Sequence, residues 1–466
     1  MSRFTRVFHP VYSSVFLLFS RFLCSIPPFA LFLIPFYFLM WLRWLHKDAV
    51  KYYILFGLLY LSFLFVLPDA GYDKYFWISW SQDILNNGLG NVYLNPEVDN
   101  HPLILYLLKA FSLFHHNAAE IGLTSVNWLK AFVLPFDFLT LIVVIHILKR
   151  TKKPMMGFLV FFLNPAFWYN TVIWGQVDTI HTFFAFAALI YAERGHWKWS
   201  LILMLVAINF KLQAIIFLPL VLILSLPFIR NKGWKYLGMH VFAVLGVQAL
   251  ILLPFLFSGN LSETVHALVT RSVDHYPVLS RNAYNVWHYL VQDPFSFPDK
   301  NTVFQVPLKY WGIAMFCAAS GMVLLPLFLA INNGAFENLK RNERLGTIFQ
   351  VAALVTLAFF MFNTQMHERY VHPAVLFSGL FMILTHRPIV YMLVSVGYLL
   401  NMEAVMQYMR YFDDLLGMNF NHTEWLIFWP EFIATLFLIA FLWGSFEFYR
   451  TFFSFKNNVP QEVITT

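Results

Sequence analysis

Long apolar segments separated by short polar stretches occupy most of the chain. A transmembrane helix needs about 20 consecutive, mostly apolar residues, and about a dozen segments meet this criterion. The pattern predicts an all-α, polytopic membrane protein with about 11 to 13 transmembrane helices. We expect three parts: an N-terminal anchor segment (residues 1–50), a central transmembrane module (51–384), and C-terminal transmembrane helices with a cytoplasmic tail (385–466).

Two long polar loops interrupt this pattern, at residues 69–128 and 258–303. Basic clusters follow other apolar segments, at 149–153, 230–235 and 340–344. Because the cytoplasmic loops of membrane proteins are enriched in Lys and Arg, we expect these clusters on the cytoplasmic side. If the spans alternate, both long loops lie on the extracytoplasmic side, and we expect juxtamembrane helices within the first of them.

The composition excludes a soluble globular protein. Hydrophobic residues make up 59% of the sequence, charged residues only 12%, and the mean hydropathy is +0.64. Soluble domains have about 25% charged residues. The net charge of +7 is spread over short clusters between apolar segments, which suits lipid head groups and membrane orientation better than a nucleic-acid groove. The two cysteines, Cys24 and Cys317, lie in apolar stretches and define neither a disulfide framework nor a metal site.

Between residues 154 and 228 the apolar runs are too short to cross a bilayer, and they end in polar side chains. At membrane depth such segments are tolerated only where they line a protein-buried or water-filled cavity. In the alternative interpretation, Lys211 and Asp178 pair only with one another, as intramembrane charges often do. We expect six polar side chains to face a central chamber: Asn164, Gln176, Asp178, His181, Lys211 and Gln213.

In the first loop, Asp73 is the strongest candidate for a functional residue. A carboxylate held against a membrane-embedded wall is costly and is usually retained for a function. On a helix, Asp73 shares a face with Trp77 and Ser81, so its carboxylate would overlook a mostly aromatic pocket. The alternative is that Asp69 and Asp73 cap the helix that follows, because Asp is favoured at helix N-termini.

A second polar group begins an apolar segment near the carboxyl end, in the sequence MHERYVHP. His367, Glu368, Arg369 and Tyr370 stand together there. The guanidinium of Arg binds phosphate oxygens through two parallel hydrogen bonds, and His adds a further donor. The group therefore suits a lipid phosphate at the membrane surface. In the alternative, Glu368 neutralises Arg369 locally and the group only closes a helix end.

Five stretches resemble a known family in their sequence and order: GYDKYFW, NHPLILYLL, NPAFWYNTVIWGQVDTIH, NFKLQAIIFLPL and MHERYVHPAVL. The set resembles the GT-C glycosyltransferases, and within them the bacterial polyprenyl-phosphate-mannose-dependent mannosyltransferases related to the second mannosyltransferase of GPI-anchor synthesis. The resemblance extends from the first loop to the HERY motif and implies a GT-C fold for the module at 51–384. The chain departs from the family at Asn100-His101-Pro102, where the family usually has Tyr-Pro-Pro, so the acceptor does not follow from the resemblance.

The resemblance implies transfer of a hexose, which we expect to be mannose, from a polyprenyl-phosphate donor to a hydroxyl of a glycan, lipid or protein acceptor on the extracytoplasmic side. By motif position, Asp73 is the general base and His367 contacts the donor phosphate. From their side-chain chemistry, we expect Arg369, Tyr370 and Lys211 to bind the donor phosphate as well. We expect further substrate contacts from six residues: Asp178, Gln176, Trp174, Glu368, Asp83 and His101.

Direct displacement by the acceptor would invert the anomeric carbon. No His, Asp or Glu cluster in the sequence has metal-ligand spacing, so we expect a metal-independent enzyme without a cofactor. We expect a monomer in a bacterial cytoplasmic membrane with the site facing the periplasm, and the endoplasmic reticulum membrane is the alternative. Glu97 and Asp99 in the first loop could orient the acceptor, but we expect them to be solvated loop residues.

Two other classes of function are compatible with a polytopic membrane protein. A lipid or sugar transporter or flippase would also have broken helices and intramembrane charges, but these should recur in two halves of the chain. Neither GYDKYFW nor WGQVD recurs. An O-antigen ligase or polymerase would use a lipid-diphosphate donor and concentrate arginines in a polar loop, where residues 258–303 contain only Arg271 and Arg281.

Overall fold

The computed structural model describes residues 50–66, 73–148, 154–271, 276–412 and 424–457. These residues are predominantly helical, as the apolar pattern predicts. Four of the sequence expectations lie outside them: most of the N-terminal anchor segment (1–49), Asp69, the basic cluster at 149–153, and the end of the cytoplasmic tail (458–466).

The helices follow one another with short connections. The first loop and the segments beside it contain α1 (Val50–Val66), α2 (Lys74–Asn87), a 3₁₀ helix (Leu89–Leu94), α3 (Pro102–Ser112), α4 (Leu123–Val126) and α5 (Lys130–Leu148). The middle of the chain contains α6 (Pro154–Phe162), α7 (Pro165–Trp168), a π-helical turn (Tyr169–Ile173), α8 (Asp178–Glu193), α9 (Trp197–Phe210), a 3₁₀ helix (Leu212–Phe217), α10 (Leu218–Leu224), α11 (Leu226–Lys232), α12 (Trp234–Phe257) and α13 (Leu261–Thr270). The remainder contains β1 (Ser280–Arg281), α14 (Trp287–Leu290), β2 (Thr302–Val303), β3 (Val306–Pro307), α15 (Leu308–Asn332), α16 (Arg341–Phe362), β4 (Met366–His367), α17 (His372–Thr385), α18 (Ile389–Met406) and α19 (Pro430–Asn457).

In the described residues, six helices are long and apolar enough to cross a membrane: Leu123–Leu148, Lys235–Phe257, Leu308–Asn332, Arg341–Phe362, Ile389–Met406 and Pro430–Phe452. Two bent pairs of helices raise this number to as many as eight, if each pair forms one span. The chain is therefore a multi-pass, helical membrane protein. The expected total of about 11 to 13 spans stays a prediction.

The two bent pairs lie in the region where the apolar runs are short. Met155–Phe162 and Pro165–Ile173 meet at an angle of 69°, and Leu212–Leu224 and Leu226–Lys232 meet at 48°. A proline lies at the start of the second helix in both pairs. Proline suits the first helical turn, but it cannot donate the hydrogen bond that would continue the preceding helix.

The larger hydrophobic core surrounds α16, whose membrane-crossing part is 89% buried. The rings of Phe349 on α16 and Phe377 on α17 lie 6.1 Å apart, and Phe360 packs 4.9 Å from Phe437 on α19. The C-terminal helices therefore pack against the same core as the central module. By contrast, α12 is only 17% buried in its membrane-crossing part, so most of this part lies outside the protein core.

The first loop has a second core of its own. Its α2 follows Asp73 and ends at Gly88, and the rings of Trp77 and Trp80 pack edge to face at 5.5 Å. Tyr93 packs 5.3 Å from Phe255, which attaches the loop to α12. The loop is consequently a folded unit that can hold polar side chains in fixed positions over the helices.

Gly90 lies at the closest approach of the first loop to the end of α12. A Cβ atom at this position would overlap the side chain of Ser258 and lie 2.5 Å from the carbonyl oxygen of Pro254. We expect Gly90→Ala to lower the free energy of unfolding by about 1–3 kcal/mol, because overpacking of this kind forces the backbone to shift. Thermal unfolding in detergent measures the effect. Gly122→Ala is the control, since a Cβ there meets nothing within 4 Å; equal losses in both variants would contradict the proposed contact.

A two-residue parallel pair connects the second loop to the segment after α16. Ser280 pairs with Met366 and Arg281 with His367. The backbone N–H of Gln365 donates to the carbonyl of Val278 at 3.1 Å. These bonds fix the loop at residues 363–371, which contains the HERY motif, against the second loop.

Candidate functional site

A cavity of about 790 Å³ lies between the first loop, the end of α9, the start of α15 and the 363–371 loop. Its lining combines residues from widely separated parts of the chain. The polar and charged residues in the lining are Asp73, Glu97, Asp99, Asn100, His101, Gln176, Lys211, Gln213, Arg271, Tyr276, Lys309, Tyr310, Asn363, Thr364, Gln365, His367, Arg369 and Tyr370. Asp73, the first-loop candidate, thus shares one chamber with His367 and Arg369.

Asp73 precedes α2 and has no side-chain capping hydrogen bond, so the capping alternative does not account for its carboxylate. Gln176 Nε2 donates to Asp73 Oδ2 at 2.6 Å, and Arg369 Nη2 lies 3.3 Å from the same oxygen. Among the described residues, no hydrogen bond reaches Asp73 Oδ1. One oxygen is therefore anchored, while the other is available to a ligand in the cavity.

Arg369 is surrounded by three carboxylates. Its Nη1 donates to Glu368 Oε1 at 3.0 Å, its Nη2 faces Asp73, and its Nε lies 3.6 Å from Asp178 Oδ2. Burial disfavours the charged guanidinium, but Asp73, Glu368 and Asp178 outweigh this effect and raise the pKa of Arg369. The expected pairing of Glu368 with Arg369 is present, and it is only one of three contacts that position this guanidinium.

Lys211 and Asp178 form an ion pair, as the alternative interpretation of these residues proposed. Lys211 also lines the cavity, and its Nζ lies 4.8 Å from the centre of the Tyr370 ring. Asp178 has a side chain only 1% exposed and is not part of the lining. Asp178 therefore contacts Lys211 and Arg369 from a buried position outside the cavity lining. The expected direct contact between Asp178 and a sugar is not supported by this geometry.

His367 lines the cavity between two tyrosine rings. Its ring centre lies 5.4 Å from that of Tyr276 and 5.0 Å from that of Tyr370. Its Nδ1 lies 3.9 Å from Glu368 Oε2. Burial raises the pKa of the Glu368 carboxyl, and the neighbouring Arg369 guanidinium opposes this effect.

Several residues predicted for the site lie elsewhere. Asp83 is outside the cavity lining, and its carboxylate accepts hydrogen bonds from Asn87 Nδ2 (2.6 Å) and Asn95 Nδ2 (3.4 Å). Asn164 donates to Tyr391 Oη at 2.8 Å, so it joins two helices instead of facing the chamber. Three further residues are also absent from the lining: His181, Trp174, whose ring lies 5.8 Å from the Arg369 guanidinium, and Glu368.

The lining also contains residues that were not among the predicted site residues. Glu97 and Asp99 were expected to be solvated loop residues, but both face the cavity. Arg271 Nη1 donates to the carbonyls of Asn95 (2.7 Å) and Val98 (3.2 Å) and so holds their segment over the chamber. Lys309 also lines the cavity, at the start of α15. Its position between a polar loop and an apolar segment could have marked it as a candidate site residue in the sequence.

The described residues define a multi-pass helical membrane protein with a large, charged cavity between its polar loops. Within these residues, no group of three or more His, Cys, Asp or Glu side chains could hold a metal ion. Comparison with models of known protein families finds no family that matches the chain, and a search of curated proteins finds no relative.

Proposed function

We propose that the protein is a GT-C glycosyltransferase that transfers a hexose, mannose in the first instance, from a polyprenyl-phosphate donor to an acceptor hydroxyl. The observation that carries the proposal is the convergence on one cavity of Asp73, which has one carboxylate oxygen without a hydrogen bond from the described residues, and of three hydrogen-bond donors, Lys211, His367 and Arg369. A base and an anion-binding group within one chamber suit the acceptor hydroxyl and the leaving phosphate of a glycosyl transfer reaction.

Asp73 Oδ1 accepts the proton of the acceptor hydroxyl as the acceptor oxygen bonds to the anomeric carbon. A positioned base of this kind contributes roughly 10² to 10⁴ in rate. The bond between the anomeric carbon and the phosphate oxygen breaks, and its electron pair leaves with the phosphate. Lys211, His367 and Arg369 face the growing charge, and a single displacement of this type inverts the anomeric carbon.

The rim of the cavity supports a lipid-linked substrate. Four apolar or aromatic residues in the lining are substantially exposed: Phe76 (42%), Ile215 (46%), Ile313 (48%) and Tyr310 (53%). They come from α2, the 3₁₀ helix before α10, and α15. Apolar side chains beside a charged chamber suit a substrate with a phosphate head and a hydrocarbon tail, since the tail can remain in the bilayer. We place the chamber on the extracytoplasmic side of the membrane, in keeping with the basic clusters in the opposite loops.

The direct test is a transfer assay with the purified full chain in detergent. Radiolabelled polyprenyl-phosphate mannose, glucose and galactose are each incubated with the protein and with a membrane lipid and glycan extract as the acceptor source. We expect label from the mannosyl donor in a new product, and none with Asp73→Asn. Absence of product from every donor would overturn the proposal, and a transporter or flippase would give that result because it forms no glycosidic bond.

His367→Ala is expected to weaken use of the donor more than use of the acceptor. A hydrogen bond to a charged group contributes about 1.5–3 kcal/mol, so the KM for the donor should rise roughly 10- to 100-fold. Steady-state kinetics with each substrate varied in turn measures the effect. The control is His266→Ala, at an exposed position of α13 outside the cavity lining. A rise confined to the KM of the acceptor would contradict the contact between His367 and the donor phosphate.

A further inference from the structure

Two side-chain amides in the cavity lining, those of Gln213 and Asn363, take no part in the chemistry proposed above. Among the described residues, no hydrogen bond reaches either amide, and the amide atoms of both remain accessible from the cavity. Asn363 as a whole is only 7% exposed. Because an unsatisfied buried amide is costly, buried amides almost always have partners. An unsatisfied amide in the wall of a cavity is therefore a candidate for contact with a ligand.

Asn363 is held in place through its backbone. Its N–H donates to the carbonyl of Phe359 at 3.3 Å, and its own carbonyl accepts from Trp287 Nε1 at 3.1 Å. In addition, α15 packs closely against this segment at Gly312, where a Cβ atom would lie 2.9 Å from the carbonyl oxygen of Phe362. A ligand therefore meets an amide whose backbone is already fixed, which lowers the entropic cost of binding.

Gln213 reaches the same cavity from the 3₁₀ helix Leu212–Phe217, which packs against α16. This helix begins directly after Lys211, whose backbone is extended (φ −156°, ψ 124°). The N–H of Ala214 donates to the carbonyl of Lys211 at 3.0 Å. Lys211 and Gln213 are thus held in one short turn at the wall of the cavity.

Each amide comes from the same segment as residues proposed to bind the donor phosphate. Gln213 follows Lys211 by two residues. Asn363 precedes His367 and Arg369 in one loop. In a polyprenyl-phosphate sugar the sugar is bonded directly to the phosphate, so side chains beside the phosphate-binding donors are within reach of the sugar. An uncharged amide suits a sugar, because it both donates and accepts hydrogen bonds, as each hydroxyl does.

From this placement we propose that Gln213 and Asn363 bind the sugar of the donor, and thereby distinguish the glycosylated lipid phosphate from the bare one. The inference rests on the proposed function and assigns the specificity of the same site. Lys211 and Arg369 attract both lipids through the phosphate that they share. The two amides gain hydroxyl partners only when the sugar is present. After transfer the sugar stays with the acceptor, so the bare lipid phosphate lacks these contacts and is released more readily.

The test measures binding alone, so it does not depend on transfer activity. The purified full chain in detergent is titrated by isothermal titration calorimetry with the mannosyl, glucosyl, galactosyl and bare forms of one short-chain polyprenyl phosphate. We expect at least one glycosyl form to bind about tenfold more tightly than the bare form. Gln213→Met and Asn363→Leu should each weaken binding of that form about 3- to 10-fold, as expected for the loss of a neutral hydrogen bond. Both variants should leave binding of the bare form within about twofold, because its phosphate contacts persist.

Gln248→Met is the matched control, because Gln248 lies outside the cavity lining and exchanges hydrogen bonds with Asn209 at 2.7 and 3.3 Å. Equal affinity of the chain for glycosyl and bare forms would overturn the inference. Equal losses of both forms in Gln213→Met and Asn363→Leu, or the same losses in Gln248→Met, would also overturn it. If the inference fails while the transfer assay still gives product, the proposed function stands. If the amides are needed to bind a glycosyl form but no donor gives product, the sugar site stands and the transferase proposal falls.

Discussion

Asp73→Asn is expected to reduce sugar transfer by roughly 10² to 10⁴, because the variant loses the proton acceptor. Oδ1 of Asp73 has no hydrogen bond from any residue that the structure describes, whereas Oδ2 is held by Gln176 and Arg369. An asparagine can keep its oxygen toward Arg369 and present its amide nitrogen in place of Oδ1. The fold and the donor site should therefore persist, and the loss should appear in kcat. Single-turnover assays with a radiolabelled polyprenyl-phosphate sugar measure the chemical step separately from binding.

Asp83→Asn supplies the comparison for this variant as well. It removes the same charge from the same loop, but its carboxylate contacts only Asn87 and Asn95 in the described part of the chain. We expect its turnover to stay within about threefold of the unaltered protein, since removal of a half-buried charge outside the cavity lining leaves the site residues in place. Near-normal turnover in Asp73→Asn, or equal losses in the two variants, would remove Asp73 as the base.

Arg369→Met is expected to destabilise the protein by about 3–5 kcal/mol, because it leaves buried carboxylates without their counter-charge. Arg369 contacts Glu368, Asp73 and Asp178, and its side chain is only 12% exposed. Adding Glu368→Gln should recover part of the loss, because the second change removes one of the uncompensated charges. Thermal unfolding in detergent measures both effects.

Arg344→Met is the matched control for this change. Among the described residues, Arg344 forms one ion pair, with Glu193 at 3.0 Å, and the two side chains are 29% and 4% exposed. Arg344→Met leaves one carboxylate without its partner, whereas Arg369→Met leaves three, so the control should cost less than Arg369→Met. Similar losses in the two variants would show that the contacts of Arg369 with three carboxylates add no stability of their own.

The sequence predicted the polar residues at the centre of the site better than those at its edge. Lys211, His367 and Arg369 each interrupt an apolar pattern. Ionisable side chains in such positions are costly in a membrane protein and usually have a function. Their meeting with Asp73 depends on tertiary contacts that local pattern does not encode. The resemblance of separate motifs to one family was the only sequence signal that grouped them.

Asp83 shows where closer attention to helix length would have helped. It follows Asp73 by ten residues, which places it about 15 Å further along the chain direction of α2, past the residues at 73–80 that line the cavity. Glu97 and Asp99 could not be assigned in this way, because their segment has no regular period. Arg271 positions that segment from a distant part of the chain, and hydrogen bonds of this kind leave no local trace in the sequence.

The helical, multi-pass architecture followed from apolar length alone, but the role of individual polar residues did not. Asn164 and Gln176 both lie at polar tips of short apolar runs. The first donates to Tyr391 inside the helix bundle, and the second donates to Asp73 in the cavity. A buried side-chain amide is stabilised by a hydrogen bond to either kind of partner. Only the direction in which each broken span turns decides whether the amide joins the helix bundle or faces the cavity.

The pairing of β1 with β4 limits how such a protein can be re-engineered. A chimera that takes residues 276–303 from another protein would have to import the 363–371 loop with them, because Ser280 and Arg281 pair in register with Met366 and His367. The outward side of α13, where Val265 and Val269 are exposed, carries no comparable constraint. Grafts and labels intended to leave the chemistry intact therefore belong on α13.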